Sequence, residues 1–207
     1  QLDFEMSFVT QDDVFDAIEP VLYEIFEENK NYYTDEEVIV SNYPFKRIPY
    51  EESLEVYGTD KPDLRNPLLI NDYTKIFNNS NFKIFSQQID KGNIVKGIIV
   101  NNTADKPRSF FDKLNDWSRG EGAAGLGYIS YFNNSFKGPI AKNLNESELQ
   151  SFKLKENDSI FFICDGIKNA ELFAGKVRDK LCSELELLDK NSFKFCWIVD
   201  YPMYEID

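Results

Sequence analysis

Residues 57–67, Tyr-Gly-Thr-Asp-Lys-Pro-Asp-Leu-Arg-Asn-Pro, place two prolines and four charges in eleven positions. Proline lacks the donor that a helix interior or a central strand requires, so this stretch can be neither. A charged, proline-stiffened segment suits a connector between packed units. At 207 residues, with 42% hydrophobic and 15% aromatic content, the chain can bury a sizeable core in one or two domains.

On the amino-terminal side of the connector, Leu2, Phe4, Met6 and Phe8 alternate with Gln1, Asp3, Glu5 and Ser7, which predicts a strand with one polar face. Thr10 is placed to cap a helix running to about Glu28, with Asp12 and Asp13 in its first turn and Pro20 expected to kink or split it. Residues 30–43 read as polar and irregular, 45–50 as extended, and 50–56 as a short helix. Beyond Asn66 the pattern predicts a strand at 68–70, a helical turn at 72–77, and a hairpin of 82–89 with 94–100 across Gly92. A helix at 107–119 stops at Gly120, and strands follow at 127–132 and 139–142. Asn145 with Glu148 has capping-box spacing; 159–164 is a strongly apolar strand, 168–187 an amphipathic helix, and 193–199 a last strand. Strands and helices mixed without strict β-α-β alternation predict an α+β fold, a mainly antiparallel sheet with packed helices.

The charge balance, 36 acids against 23 bases and a net of −13, works against binding a phosphate backbone over most of the surface. No histidine is present, which removes the usual general base and the commonest metal ligand. Cys164, Cys182 and Cys196 have no CxxC spacing and sit in apolar contexts, reading as inert core thiols of a reducing, cytoplasmic protein. No apolar run reaches the ~18 residues of a membrane span. The segment Gly120–Gly127 lacks the Lys-Ser/Thr of a phosphate loop and precedes a strand, so it reads as a helix stop and loop. No EF-hand spacing occurs, and nothing in 67–190 specifies a metal site.

Several segments resemble bacterial-type aspartyl-tRNA synthetases of class II. They are the connector, the opening Gln1-Leu2-Asp3-Phe4-Glu5, the close Phe195–Glu205, and Gly120–Ile129 with Gly138-Pro-Ile-Ala-Lys142. The resemblance implies three parts: 1–66, a catalytic-domain piece holding the end of the motif 2 strand; 67–190, the inserted domain called GAD; and 191–207, a strand returning to the catalytic domain. Both termini then read as cut. It also implies an enzyme that activates L-aspartate with ATP and Mg²⁺ and transfers it to tRNA-Asp, homodimeric at full length. The excerpt itself is expected to be inactive, free of bound cofactor and monomeric.

On this resemblance Asp3 accepts hydrogen bonds from the substrate ammonium and Gln1 lies beside it; the alternation puts both on one face. No catalytic residue and no metal ligand is assigned. Several points stay open: whether tRNA-Asn is also charged; whether the inserted domain supports the fold or the tRNA acceptor arm; whether Asp60, Lys61, Asp63 and Arg65 form a functional cluster or a salt-bridged hinge; and whether Asp200 faces a pocket or caps a strand. An alternative reading is a non-catalytic, tRNA-positioning GAD module like that of tRNA-dependent amidotransferase subunits.

Overall fold

The computed structural model describes residues 3–32 and 36–204. In chain order the elements are α1 (Gln11–Asn29), β1 (Ile39–Val40), β2 (Lys46–Pro49), α2 (Tyr50–Tyr57), β3 (Ile70–Asp72), α3 (Thr74–Phe77), α4 (Lys83–Ile89), β4 (Ile94–Val100) and α5 (Arg108–Gly120). They continue with β5 (Gly127–Phe132), β6 (Ser135–Lys137), a 3-10 turn (Ala141–Asn143), α6 (Glu146–Ser151), β7 (Ser159–Asp165), α7 (Ile167–Glu184), β8 (Ser192–Phe193) and β9 (Cys196–Val199). Two compact units result: residues 1–50, 63–66 and 187–207 form the first, and 51–62 with 67–186 the second.

In the first unit, α1 opens on a capping box. Asp13 N donates to Thr10 Oγ1 at 3.4 Å, and Thr10 N donates to Asp13 Oδ2 at 2.7 Å. Pro20 lies inside α1 without dividing it. One missing N–H is outweighed by ring contacts on both sides of it: Phe15 with Trp197 at 4.5 Å, and Phe26 with Phe193 and Phe195 at 4.8 and 4.9 Å. Early and late segments then pair in parallel, β1 with β8 and β2 with β9. Glu19, 1% exposed, ties them to the helix: its carboxylate accepts from Phe45 N at 3.1 Å and from Trp197 Nε1 at 2.8 Å. Two donors satisfy much of what a buried carboxylate requires.

Residues 3–9 do not form the expected strand. Phe4, Met6 and Phe8 are exposed, and Phe8 has φ +59°. A strand exists only through its ladder, and among the described residues no strand pairs with 3–9.

The second unit is a five-stranded antiparallel sheet of order β3-β4-β7-β5-β6. Its centre, β7, is buried over Ser159–Ile163, which explains the continuous apolar run of its sequence. One face carries Val95, Ile129, Ile160 and Phe162 against Phe77, Phe85, Ile140 and Phe152. The other packs on α7, which presents Ala170, Ala174, Val177 and Leu181, and on Phe111 of α5, stacked with Phe161 at 5.8 Å. α6 begins on the expected capping box, with Glu148 N donating to Asn145 Oδ1 at 2.9 Å.

Two local expectations fail here. Residues 82–89 are the helix α4, not half of a hairpin, because Phe82, Phe85 and Ile89 follow i, i+3, i+7 spacing while Ile84 is exposed. Gly92 (φ +90°) ends that helix's exit turn, where Asn93 N donates to Gln88 O at 3.1 Å. Residues 139–142 contain the start of a 3-10 turn, and the strand that pairs with β5 is β6. The turn joining them, Asn133-Asn134, has both residues near φ +54°, the conformation that a two-residue hairpin needs and that Asn tolerates.

The connector is held by local pairing. Arg65 donates through Nε and Nη2 to Asp63 Oδ1 and Oδ2 at 2.9 and 2.7 Å, as the salt-bridged alternative requires, while Lys61 and Asp60 stand 3.9 Å apart at the surface. Gly58 (φ +72°) meets α7 backbone to backbone: a Cβ there would lie 2.5 Å from Glu171 O and 2.4 Å from Gly175 N.

Candidate functional site

Asp3 is an exposed carboxylate, chemically able to accept from an ammonium group. Gln1 lies outside the described residues, so their juxtaposition is not described. Asp200 directly follows β9, exposed and at φ +60°.

The buried ionisable groups of the second unit went unnoticed in the sequence. Lys96, with a side chain 3% exposed in β4, has Glu171, Asp72 and Glu55 at 3.7, 3.7 and 3.8 Å. Burial raises the Glu171 pKa above the ordinary glutamate range; Lys96 opposes this and the other two carboxylates reinforce it. Arg178, 1% exposed on α7, donates from Nε to Leu68 O at 2.7 Å and sits 5.3 Å from the Tyr57 ring centre. The available signal was position: Lys96 interrupts the apolar run of β4, and Arg178 shares the face of Ala174 and Leu181. A buried lysine with three carboxylates around it is a structural cross-link, since it is enclosed and joins α2, β3 and α7. The cysteines are equally unsuited to attack. Burial, with Asp165 adding, pushes the Cys164 thiol up to about 11, and burial raises Cys196 as well.

The second unit also holds a cleft of about 830 Å³. Its walls come from α4, α5, the Gly125–Tyr128 segment and the loop before the 3-10 turn. Phe85, Phe111 and Ile140 supply apolar surface, and Tyr128 lies flat on Phe111 at 4.1 Å. Asn115 fixes one wall: its Oδ1 accepts from Leu126 N at 3.0 Å, and a Cβ at Gly125 would lie 2.9 Å from that oxygen. The helix stop and loop at Gly120–Gly127 is therefore one side of a cleft, a role its composition alone did not reveal. Arg108, Arg119 and Lys142 stand around it with Asp112 and Asp165.

Charge is divided unevenly. The first unit contains 17 acids and 6 bases, the second 19 acids and 17 bases. The net of −13 is therefore carried mostly by the first unit, and the argument against phosphate contacts applies chiefly there.

An acidic unit closed by parallel pairs from distant chain segments, with an antiparallel α+β unit within its sequence, defines an α+β protein with an interposed domain. The chain matches the family described as tRNA synthetases class II (D, K and N) over residues 1–206, and it belongs to that family. It is 52% identical over 211 residues to an aspartate–tRNA(Asp/Asn) ligase of Paramagnetospirillum magneticum, covering all of this chain and 24% of that relative. It is 50% identical over 212 residues to the like-named ligase of Rickettsia canadensis (all of this chain, 34% of the relative). To that of Gluconobacter oxydans it is 46% identical over 211 residues (all of this chain, 35% of the relative). The chain thus spans about a quarter to a third of the length of these curated relatives.

Proposed function

We propose that this chain is a segment of an aspartate–tRNA ligase, a cytoplasmic enzyme that activates L-aspartate with ATP and transfers it to tRNA. The observation that carries this reading is identity of about half over the whole chain to relatives of that name. Those names include both tRNA-Asp and tRNA-Asn, so the reading extends to both acceptors. Within it, the first unit supplies pieces of the catalytic domain and the second is the GAD-like inserted domain. The alternative of a free-standing tRNA-positioning module has no comparable support, since the likeness runs through the flanking segments as well.

Asp3 is the residue assigned to the substrate ammonium, with Gln1 as its neighbour. A carboxylate suits that task and no other part of the substrates, because aspartate's own carboxylates and the ATP phosphates need cations. The first unit's arginines do not fit a triphosphate: Arg47 is 3.2 Å from Asp12, and Arg65 is gripped by Asp63. The groups that hold ATP and its Mg²⁺ therefore belong to the rest of the full-length enzyme, which acts as a homodimer. Held there, the metal would neutralise phosphate charge. In the full-length ligase, Asp3→Ala should raise the aspartate KM in pyrophosphate exchange by about 10- to 100-fold, the worth of a charge-assisted contact of ~1.5–3 kcal/mol. The KM for ATP should hold. An aspartate KM within twofold of the parent removes Asp3 from this role.

A further inference from the structure

We propose that the cleft of the second unit is a binding site for a mononucleotide, a planar base joined to one phosphate, separate from the ATP chemistry of the ligase. Its volume, about 830 Å³, falls in the range of small-molecule sites. Apolar and anionic halves of one ligand are both provided for. Phe82 and Ile84 offer apolar surface, Ile84 being 66% exposed, with the buried Phe85 and Ile140 behind them. Such a surface accepts the faces of a base.

The charged rim is the more telling part. Some cations of the second unit are taken by acids: Lys96 by three carboxylates, Lys176 by Glu121, Lys180 by Glu184. At the cleft, Arg108 is similarly occupied, 3.5 Å from Asp112, and the other rim acid, Asp165, accepts from Gly166 N at 2.7 Å. Arg119 and Lys142 have no carboxylate within ion-pair distance among the described residues. Two unneutralised cations beside an apolar cleft match one phosphate. Also in the lining, Asn93 Nδ2 donates to Gln88 Oε1 at 2.9 Å, which leaves Gln88 Nε2 as a donor and Asn93 Oδ1 as an acceptor. A donor beside an acceptor is what a base edge pairs with.

Two sources carry this chemistry, a free nucleotide and an unpaired residue of an RNA strand. The ¹⁵N-labelled 207-residue chain would be titrated with AMP, adenosine, inorganic phosphate and a single-stranded RNA trinucleotide, following amide shifts. AMP or the trinucleotide should move Asn93 and Gly125–Tyr128, and bind about tenfold or more tighter than adenosine or phosphate alone. The exposed double variant Arg119→Gln/Lys142→Gln should weaken this about tenfold or more, while Lys75→Gln, on the exposed surface of α3, leaves it unchanged. Saturation by the trinucleotide and not by AMP assigns the site to RNA; equal response assigns it to the free nucleotide. No response to either at millimolar concentration, phosphate binding as well as AMP, or a double variant with parental affinity overturns the proposal. Thermal melts of the variants separate loss of binding from loss of fold.

Discussion

Replacing Lys96 by Met keeps the length of the side chain and removes only its ammonium. The group is enclosed at 3% exposure, with carboxylates at 3.7–3.8 Å contributed by α2, β3 and α7. Removing one partner of a buried ion pair typically costs about 3–5 kcal/mol, because the remaining charge is left uncompensated. Here two of the three acids have an escape: Glu55 and Asp72 are 61% and 40% exposed and can turn to water, whereas Glu171 at 17% cannot. The expected loss is therefore smaller, about 2–3 kcal/mol near neutral pH. For a chain of this size that lowers the melting temperature by about 5–10 °C.

The same geometry sets the pH dependence. Glu171 has a folded pKa above its unfolded value, so between the two the native state binds more protons and stability falls as pH rises. Without Lys96, the one influence holding that pKa down is gone, and the window widens upward. K96M should thus be most destabilised at pH 7.5 and recover toward the parent as pH falls through the Glu171 range. Urea denaturation followed by circular dichroism at pH 5 and 7.5 measures both. Adding Glu171→Gln to K96M should restore about 1 kcal/mol or more at pH 7.5, since it removes the stranded charge. A loss under ~0.5 kcal/mol, or one independent of pH and untouched by the second substitution, would falsify the view of Lys96 as a buried cross-link.

Three further outcomes are expected. Glu19→Ala strands the donors of Phe45 and Trp197 and should cost about 2–4 kcal/mol in the first unit, with Glu19→Gln losing less because one acceptor oxygen stays; tryptophan fluorescence during denaturation reads this, and equal losses would contradict it. Gly58→Ala combines a positive φ with a backbone clash and should cost about 3 kcal/mol in urea melts, whereas Gly120→Ala, with nothing within 4 Å, should be neutral or better; parity between them would refute the close approach to α7. Cys164 should react with iodoacetamide at pH 7.5 about a hundredfold more slowly than a free thiol and accelerate with rising pH; alkylation at the free-thiol rate, located by peptide mass, would show it is not held up near 11.

Elements whose signal is local were legible before any coordinates. The Thr10 and Asn145 caps and the apolar run of β7 each follow from a few neighbouring residues, whereas the stop expected at Gly120 falls two residues later, at Gly122 with φ +92°. What escaped depended on partners far along the chain. Residues 3–9 alternate as a strand does, yet alternation confers only a face, and a ladder has to come from another segment. Phe82–Ile89 is short enough for two periods to fit, and burial on the sheet face chose the helix. Lys96 and Arg178 look like ordinary surface cations until the fold encloses them. The cleft is less legible still, since its lining is drawn from 82 to 165 and no single stretch announces it.

Glu19 and Trp197 are 178 positions apart, and the β2–β9 pairing joins chain segments nearly as remote. During synthesis the helix carrying Glu19 leaves the ribosome long before its indole partner exists, a delay on the order of 10–35 s at 5–20 residues per second. The interposed domain, complete within its own stretch of chain, is free to fold in that interval. Until then the carboxylate of Glu19 and the rings of Phe15 and Phe26 are without their later partners, a surface that a chaperone can shelter.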